Sequence, residues 1–105
     1  MYKMTTYSLP ALILAAKPHL SANSQASYFY SLKRAAPLRV QQALGSGISQ
    51  NKVRIRWIRD HEKTLLRLRD LTPTNVRNTL TPLLILSDHL YGETSACYQR
   101  YRVLF

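Results

Sequence analysis

The chain has 105 residues, 46% of them apolar and 19% charged, and its fifteen Lys and Arg stand against five Asp and Glu for a net charge of +10. One domain over residues 1–105 is long enough to bury a core without metals or disulfides, and the apolar share argues against wholesale disorder. The single cysteine, Cys97, closes no internal disulfide and supplies no zinc cluster.

Arginine outnumbers lysine ten to five, a balance that predicts a polyanionic partner, DNA or RNA. The charge is also unevenly placed: residues 31–77 hold eleven bases and three acids, whereas residues 78–105 hold two of each. The longest apolar run, Leu9 to Ala16, contains Pro10 and falls well short of the ~20 residues a spanning helix needs, so no membrane-spanning segment is expected; a basic chain could still meet a membrane surface, but nucleic acid rather than membrane is the expected partner. The first acid is Asp60, and the segment before it is rich in Ser, Ala and bases, as organelle presequences are. Mitochondrial targeting therefore stands beside an intracellular, DNA-associated location, nucleus or nucleoid, as the expected address.

In chain order, Ser8 followed by Leu9 and Pro10 is a helix-start signature and predicts a short helix over 9–16. Lys17-Pro18 breaks it, and Ser21 caps a second helix expected over 22–36. Tyr28, Leu32 and Ala35 form its packed face, with Lys33 and Arg34 on the exposed flank. After Pro37, residues 39–44 predict a short helical turn and Gly45-Ser46-Gly47 a mobile loop.

Lys52 to Leu71 reads as one amphipathic helix. Val53, Trp57, His61, Leu65 and Leu68 recur at steps of four or three, and Lys52, Arg56, Arg59, Lys63 and Arg67 follow the same steps roughly opposite. One face is expected to pack, with the polar tips of Trp57 and His61 satisfied, and the other to be a cationic stripe. Thr72 and Pro73 then start another helix, to about His89, carrying Val76, Leu80, Leu83, Leu84 and Leu86 and bent at Pro82. Tyr91-Gly92 ends it, and Thr94 or Ser95 caps a short terminal helix with Tyr98, Tyr101 and Val103. The fold class is all-α, a compact bundle of four to five helices.

The segment Lys17 to Tyr28 continuing into Leu32-Lys33-Arg34, the run Trp57 to Leu71, the restart Thr72 to Leu80 and the closing Tyr98-Gln99-Arg100-Tyr101-Arg102 together resemble the amino-terminal core-binding domain of phage-integrase-type tyrosine recombinases. The resemblance covers nearly the whole chain and implies a SAM-like helical bundle that grips one face of duplex DNA, with an inward-packed Tyr28. Pro82 and Gly45-Ser46-Gly47 depart from that pattern. The family's catalytic arginines, His-x-x-Arg motif and nucleophilic tyrosine belong to a following domain, so recombination by this chain alone is not expected. A catalytic recombinase chain or other protomers would be the protein partners.

The residues expected to contact nucleic acid are Lys33, Arg34, Arg56, Arg59, Lys63 and Arg67, through phosphate neutralisation, and Thr74, Arg77 and Asn78, where free helix amides and short polar side chains suit a phosphate or a base edge. Tyr28-Phe29-Tyr30 beside Lys33 and Arg34 suits either core packing or stacking on single-stranded bases. His19, His61, His89 and Cys97 lack the paired spacing of metal sites, and neither a glycine-rich phosphate loop nor a nucleophile elbow is present. No catalytic residue, metal or cofactor is therefore expected. Two other classes fit the composition: a basic structural protein of an RNA-rich assembly such as an organellar ribosome, and a small interaction protein whose basic helix docks in an acidic groove through Trp57, Leu65 and Leu68.

Overall fold

The computed structural model describes residues 5–105. In chain order it holds β1 (Tyr7–Ser8), α1 (Leu9–Ala16), α2 (Ala22–Ala35), α3 (Leu38–Leu44), β2 (Lys52–Val53), α4 (Arg56–Arg59), α5 (His61–Leu68), α6 (Pro73–Tyr91) and α7 (Ala96–Leu104). Four of these helices start on hydroxyl residues. Ser8, Ser21, Thr72 and Ser95 accept from the backbone amides of Ala11, Ser24, Asn75 and Tyr98 at 3.4, 3.2, 3.3 and 3.4 Å, each satisfying an amide that a first turn leaves free. Gly45 and Gly92, at φ 76° and 85°, end α3 and α6 in the left-handed region where a side chain is penalised.

Residues 52–71 do not form the single helix that their four-residue spacing suggests. Val53, Ile55 and Trp57 are buried while Lys52, Arg54 and Arg56 are exposed, so burial alternates with period two, the pattern of extended chain. On one helix the stripe through Val53, Trp57 and His61 would leave Ile55 on the opposite side; an extended entry followed by one helical turn buries all four apolar residues from 53 to 58. Lys52–Val53 pair antiparallel with Tyr7–Ser8, Val53 opposite Tyr7. Asp60, at φ −81° and ψ 70°, lies outside the helical region and separates α4 from α5.

The core is one contiguous cluster centred on α6, whose Leu80, Leu83 and Leu86 are fully buried. That helix packs against α1, α2, α4 and α7, and it runs through the buried Pro82 to Tyr91 and stops at Gly92, the end expected from Tyr91-Gly92. From α2 the core takes Phe29, Leu32 and Ala35, and Ala36 just after it, with Tyr28 half-buried and Tyr30 exposed; the packed face is centred on Phe29 rather than Tyr28. The radius of gyration, 12.9 Å, is that of a close-packed chain of this length. The fold is therefore mostly helical, with seven helices and a two-stranded sheet among the described residues.

Candidate nucleic-acid interface

The candidate site is a ridge of cations on residues 52–59. Val53, Ile55, Trp57 and Ile58 are 4%, 7%, 7% and 0% exposed, and their burial turns Lys52, Arg54, Arg56 and Arg59 outward. Along the extended part, alternate side chains stand ~6.6 Å apart. Two buried hydroxyls secure the ridge from beneath: Tyr101 Oη donates to the Ile58 carbonyl at 2.6 Å, and Thr64 Oγ1 to the Trp57 carbonyl at 2.6 Å. Both carbonyls lie where regular structure lapses and would otherwise lack partners. At the upstream end, Ser8 Oγ donates to Gln50 Oε1 at 2.6 Å and Asn51 Nδ2 to the Ala43 carbonyl at 3.0 Å, tying the approach to the ridge onto α1 and α3.

Arg59 lies over the Tyr91 ring, 5.9 Å from its centroid, a cation–π contact that orients the guanidinium. Arg56 and Arg59 share a shallow depression with Asp60, and Arg59, Tyr91, Ser95 and Cys97 line an adjoining cavity of about 390 Å³. Burial pushes the Tyr91 hydroxyl above its ordinary range, against the pull of Arg59 and Arg56. Among the described residues the one ion pair is Lys63–Asp60, at 4.0 Å. The ridge arginines therefore meet solvent without forming an ion pair, and Asp60 is the acid beside them.

The structure divides the expected contact residues into three groups. Arg56 and Arg59 stand on the ridge, with Lys63 exposed one turn beyond Asp60. Arg67 turns inward, where its Nε donates to the Ala35 carbonyl at 2.6 Å and its Nη2 to Thr64 Oγ1 at 3.0 Å, joining α5 to the end of α2. Desolvation lowers its pKa, opposed by the charges of Tyr101 and Asp60. The expected continuous stripe is thus broken twice, by the interruption at Asp60 and by the inward turn of Arg67. Lys33 and Arg34 are half-buried at the end of α2, and Lys33 Nζ donates to the Gly45 carbonyl.

Thr74, Arg77 and Asn78 are exposed on the first turns of α6, where Arg77 stacks 5.2 Å from the Phe105 ring centroid. Tyr91, against which Arg59 lies, is fourteen residues further along the same helix, roughly 21 Å at 1.5 Å per residue. The two basic surfaces occupy opposite ends of α6. Arg54 is the ridge residue that helical spacing misses; strict alternation of base and apolar residue in Lys52-Val53-Arg54-Ile55-Arg56-Trp57 is the signal that finds it.

Trp57 Nε1 and His61 Nδ1 are buried without hydrogen-bond partners among the described residues, unlike the satisfied tips expected of them. The His61 ring instead meets Tyr101 edge-on at 6.5 Å. Among the described residues no three of His, Cys, Asp and Glu gather as a metal-binding group, and no helix is long and apolar enough to cross a membrane. Comparison with protein-family models, with curated proteins and with solved structures finds no match to this chain.

Proposed function

We propose that this chain is a nucleic-acid-binding module whose principal ligand is duplex DNA, gripped through backbone phosphates by Lys52, Arg54, Arg56 and Arg59. The observation that carries the reading is the ridge itself, four exposed cations in eight residues on a backbone fixed by buried neighbours and forming no ion pair among the described residues. Such a surface gains affinity by releasing counterions from the phosphates it neutralises. Because its backbone is already ordered, binding loses little conformational freedom there. Phosphate contacts position a protein without reading sequence, so affinity should depend more on salt than on base composition.

At finer grain, the proposal is a core-binding module of tyrosine-recombinase type, a SAM-like bundle whose chemistry would come from a catalytic recombinase chain. Its support is the packing of α2 against α5 and α6, the contact of α4 with α6, and the capped restart at Thr72-Pro73. Thr74, Arg77 and Asn78 would supply a second contact at the far end of α6.

The test is binding to labelled duplex DNA, single-stranded DNA and structured RNA across a salt series, for the native chain and a Lys52, Arg54, Arg56, Arg59 quadruple alanine variant. Duplex should bind tightest, and the salt slope should flatten by about 0.9 for each phosphate that the variant leaves unneutralised. Tightest binding to RNA, or equal binding to all three, would replace the proposal with a structural role in an RNA-rich assembly.

A further inference from the structure

A second surface lies away from the ridge. Between α5, the start of α6 and the end of α7 runs a groove of about 760 Å³, within the size range of pockets that take specific ligands. Its floor is the buried pair Leu68 and Leu80, and its lips are Leu66 and Leu104, 62% and 46% exposed. Phe105, 49% exposed, stands beside Leu104 at the chain's last position. Large apolar side chains left this open in one place mark a contact surface more often than they mark chance.

The charges around the groove say what would fill it. Arg69 and Arg100 line it, both exposed, and Arg77 stands near its end through its contact with Phe105. Glu62 is the one acid in the lining. His61 also lines it, and its Nδ1 is sheltered without a partner among the described residues. A second copy of this chain would bring a charge of +10 against arginines of its own kind. Nucleic acid would gain little from a lining that is mainly apolar. An open groove flanked by Leu66 and Leu104 also suits the protruding side chains of a helix better than a flat lipid surface.

We propose that this groove docks an acidic amphipathic helix from another protein. Apolar anchors on one face of that helix would seat between Leu66 and Leu104, while flanking Asp or Glu side chains meet Arg69 and Arg100. This is the helix-in-groove mode, in which anchors recur at i, i+3 or i+4 and i+7, and the rim charges select the partner's sign. The groove shares no residue with the cationic ridge, so substitutions in one surface leave the other's residues in place.

The probes are labelled synthetic peptides with Leu or Phe anchors at i, i+4 and i+7 and Glu at the flanking positions, beside analogues carrying Lys in place of Glu. Fluorescence anisotropy should show saturable binding of the Glu peptides, at least about tenfold tighter than the Lys analogues. Leu66→Gln, at an exposed position that should not affect folding, and the Arg69→Gln, Arg100→Gln pair should each weaken binding by about tenfold, with melting temperatures near that of the native chain. The ridge quadruple variant should bind the Glu peptides as the native chain does, which separates this proposal from the nucleic-acid reading. Absence of binding, equal binding of the two charge types, or indifference to Leu66→Gln would overturn it. So would a self-association that Leu66→Gln dissolves, or tighter binding to anionic vesicles than to any peptide.

Discussion

Residues 52–59 and 61–68 both interleave bases with large apolar side chains, yet they use their arginines in opposite ways. In the first stretch every base faces solvent, because the chain enters extended and each apolar neighbour is taken into the core. In the second, a true helix, Arg67 points into the protein and binds the Ala35 carbonyl at 2.6 Å. Whether an arginine is available to a ligand depends on what its side chain meets in the fold as well as on the backbone period. Counting charges would treat Arg59 and Arg67 as equivalent, whereas their geometry makes one a contact and the other a strut.

The largest expected effect tests what both stretches share. Tyr101 is fully buried, and its hydroxyl bonds the Ile58 carbonyl at the foot of the ridge. Tyr101→Ala removes the ring and strands that carbonyl, and should cost about 3–5 kcal/mol in urea unfolding. Two-state unfolding with a loss under about 1 kcal/mol would show that the ridge does not depend on this pin.

Exchange of roles between Arg67 and Arg59 comes next. Arg67→Ala should cost about 1–3 kcal/mol, since it leaves the Ala35 carbonyl without its donor, while duplex affinity per folded molecule stays unchanged. Arg59→Ala should shift stability by no more than about 0.5 kcal/mol and weaken duplex binding several-fold at low salt. Similar profiles for the two variants would erase the distinction between strut and contact.

These assignments also show where sequence patterns are informative. Helix starts at Ser8, Ser21, Thr72 and Ser95 are legible because a cap is satisfied within three residues, and the stops at Gly45 and Gly92 because the required φ favours glycine. The pairing of Tyr7 with Val53 is not legible, since two-residue strands carry no pattern of their own and the partners are distant in sequence. In 52–57 two periods overlap. The four-residue step through Val53 and Trp57 is real, but Ile55 and Ile58 are buried too, and only alternation explains Ile55. The inward turn of Arg67 rests on an acceptor thirty-two residues away, a tertiary fact that no local spacing encodes.

Alkaline pH provides a smaller test, confined to the pin. Burial raises the Tyr101 hydroxyl well above the ordinary tyrosine value. The neutral hydroxyl therefore contributes its full stability below about pH 10, and the contribution declines as pH rises from there toward the folded-state value. Tyr91 shifts the same way and adds to the slope. Tyr101→Phe should start less stable, having lost the bond to Ile58, and then lose less per pH unit between about pH 9 and about pH 11. Parallel pH curves for the two proteins would mean that Tyr101 ionises no harder in the folded chain than in the unfolded one.

The smallest effect is expected at Lys63, and it bears most directly on the boundary between the two stretches. Its ammonium stands 4.0 Å from Asp60, with side chains 77% and 47% exposed, a pair worth no more than about 0.5 kcal/mol between solvated groups three residues apart. Lys63→Ala should therefore leave stability essentially where it was. Its effect on duplex binding should fall below that of Arg59→Ala, because Asp60 breaks the helix between them and partly neutralises the ammonium. Equal reductions of affinity and of salt slope from Lys63→Ala and Arg59→Ala would mean that the ligand follows one surface across Asp60. The cationic stripe read from helical spacing would then describe the bound protein better than the ridge does.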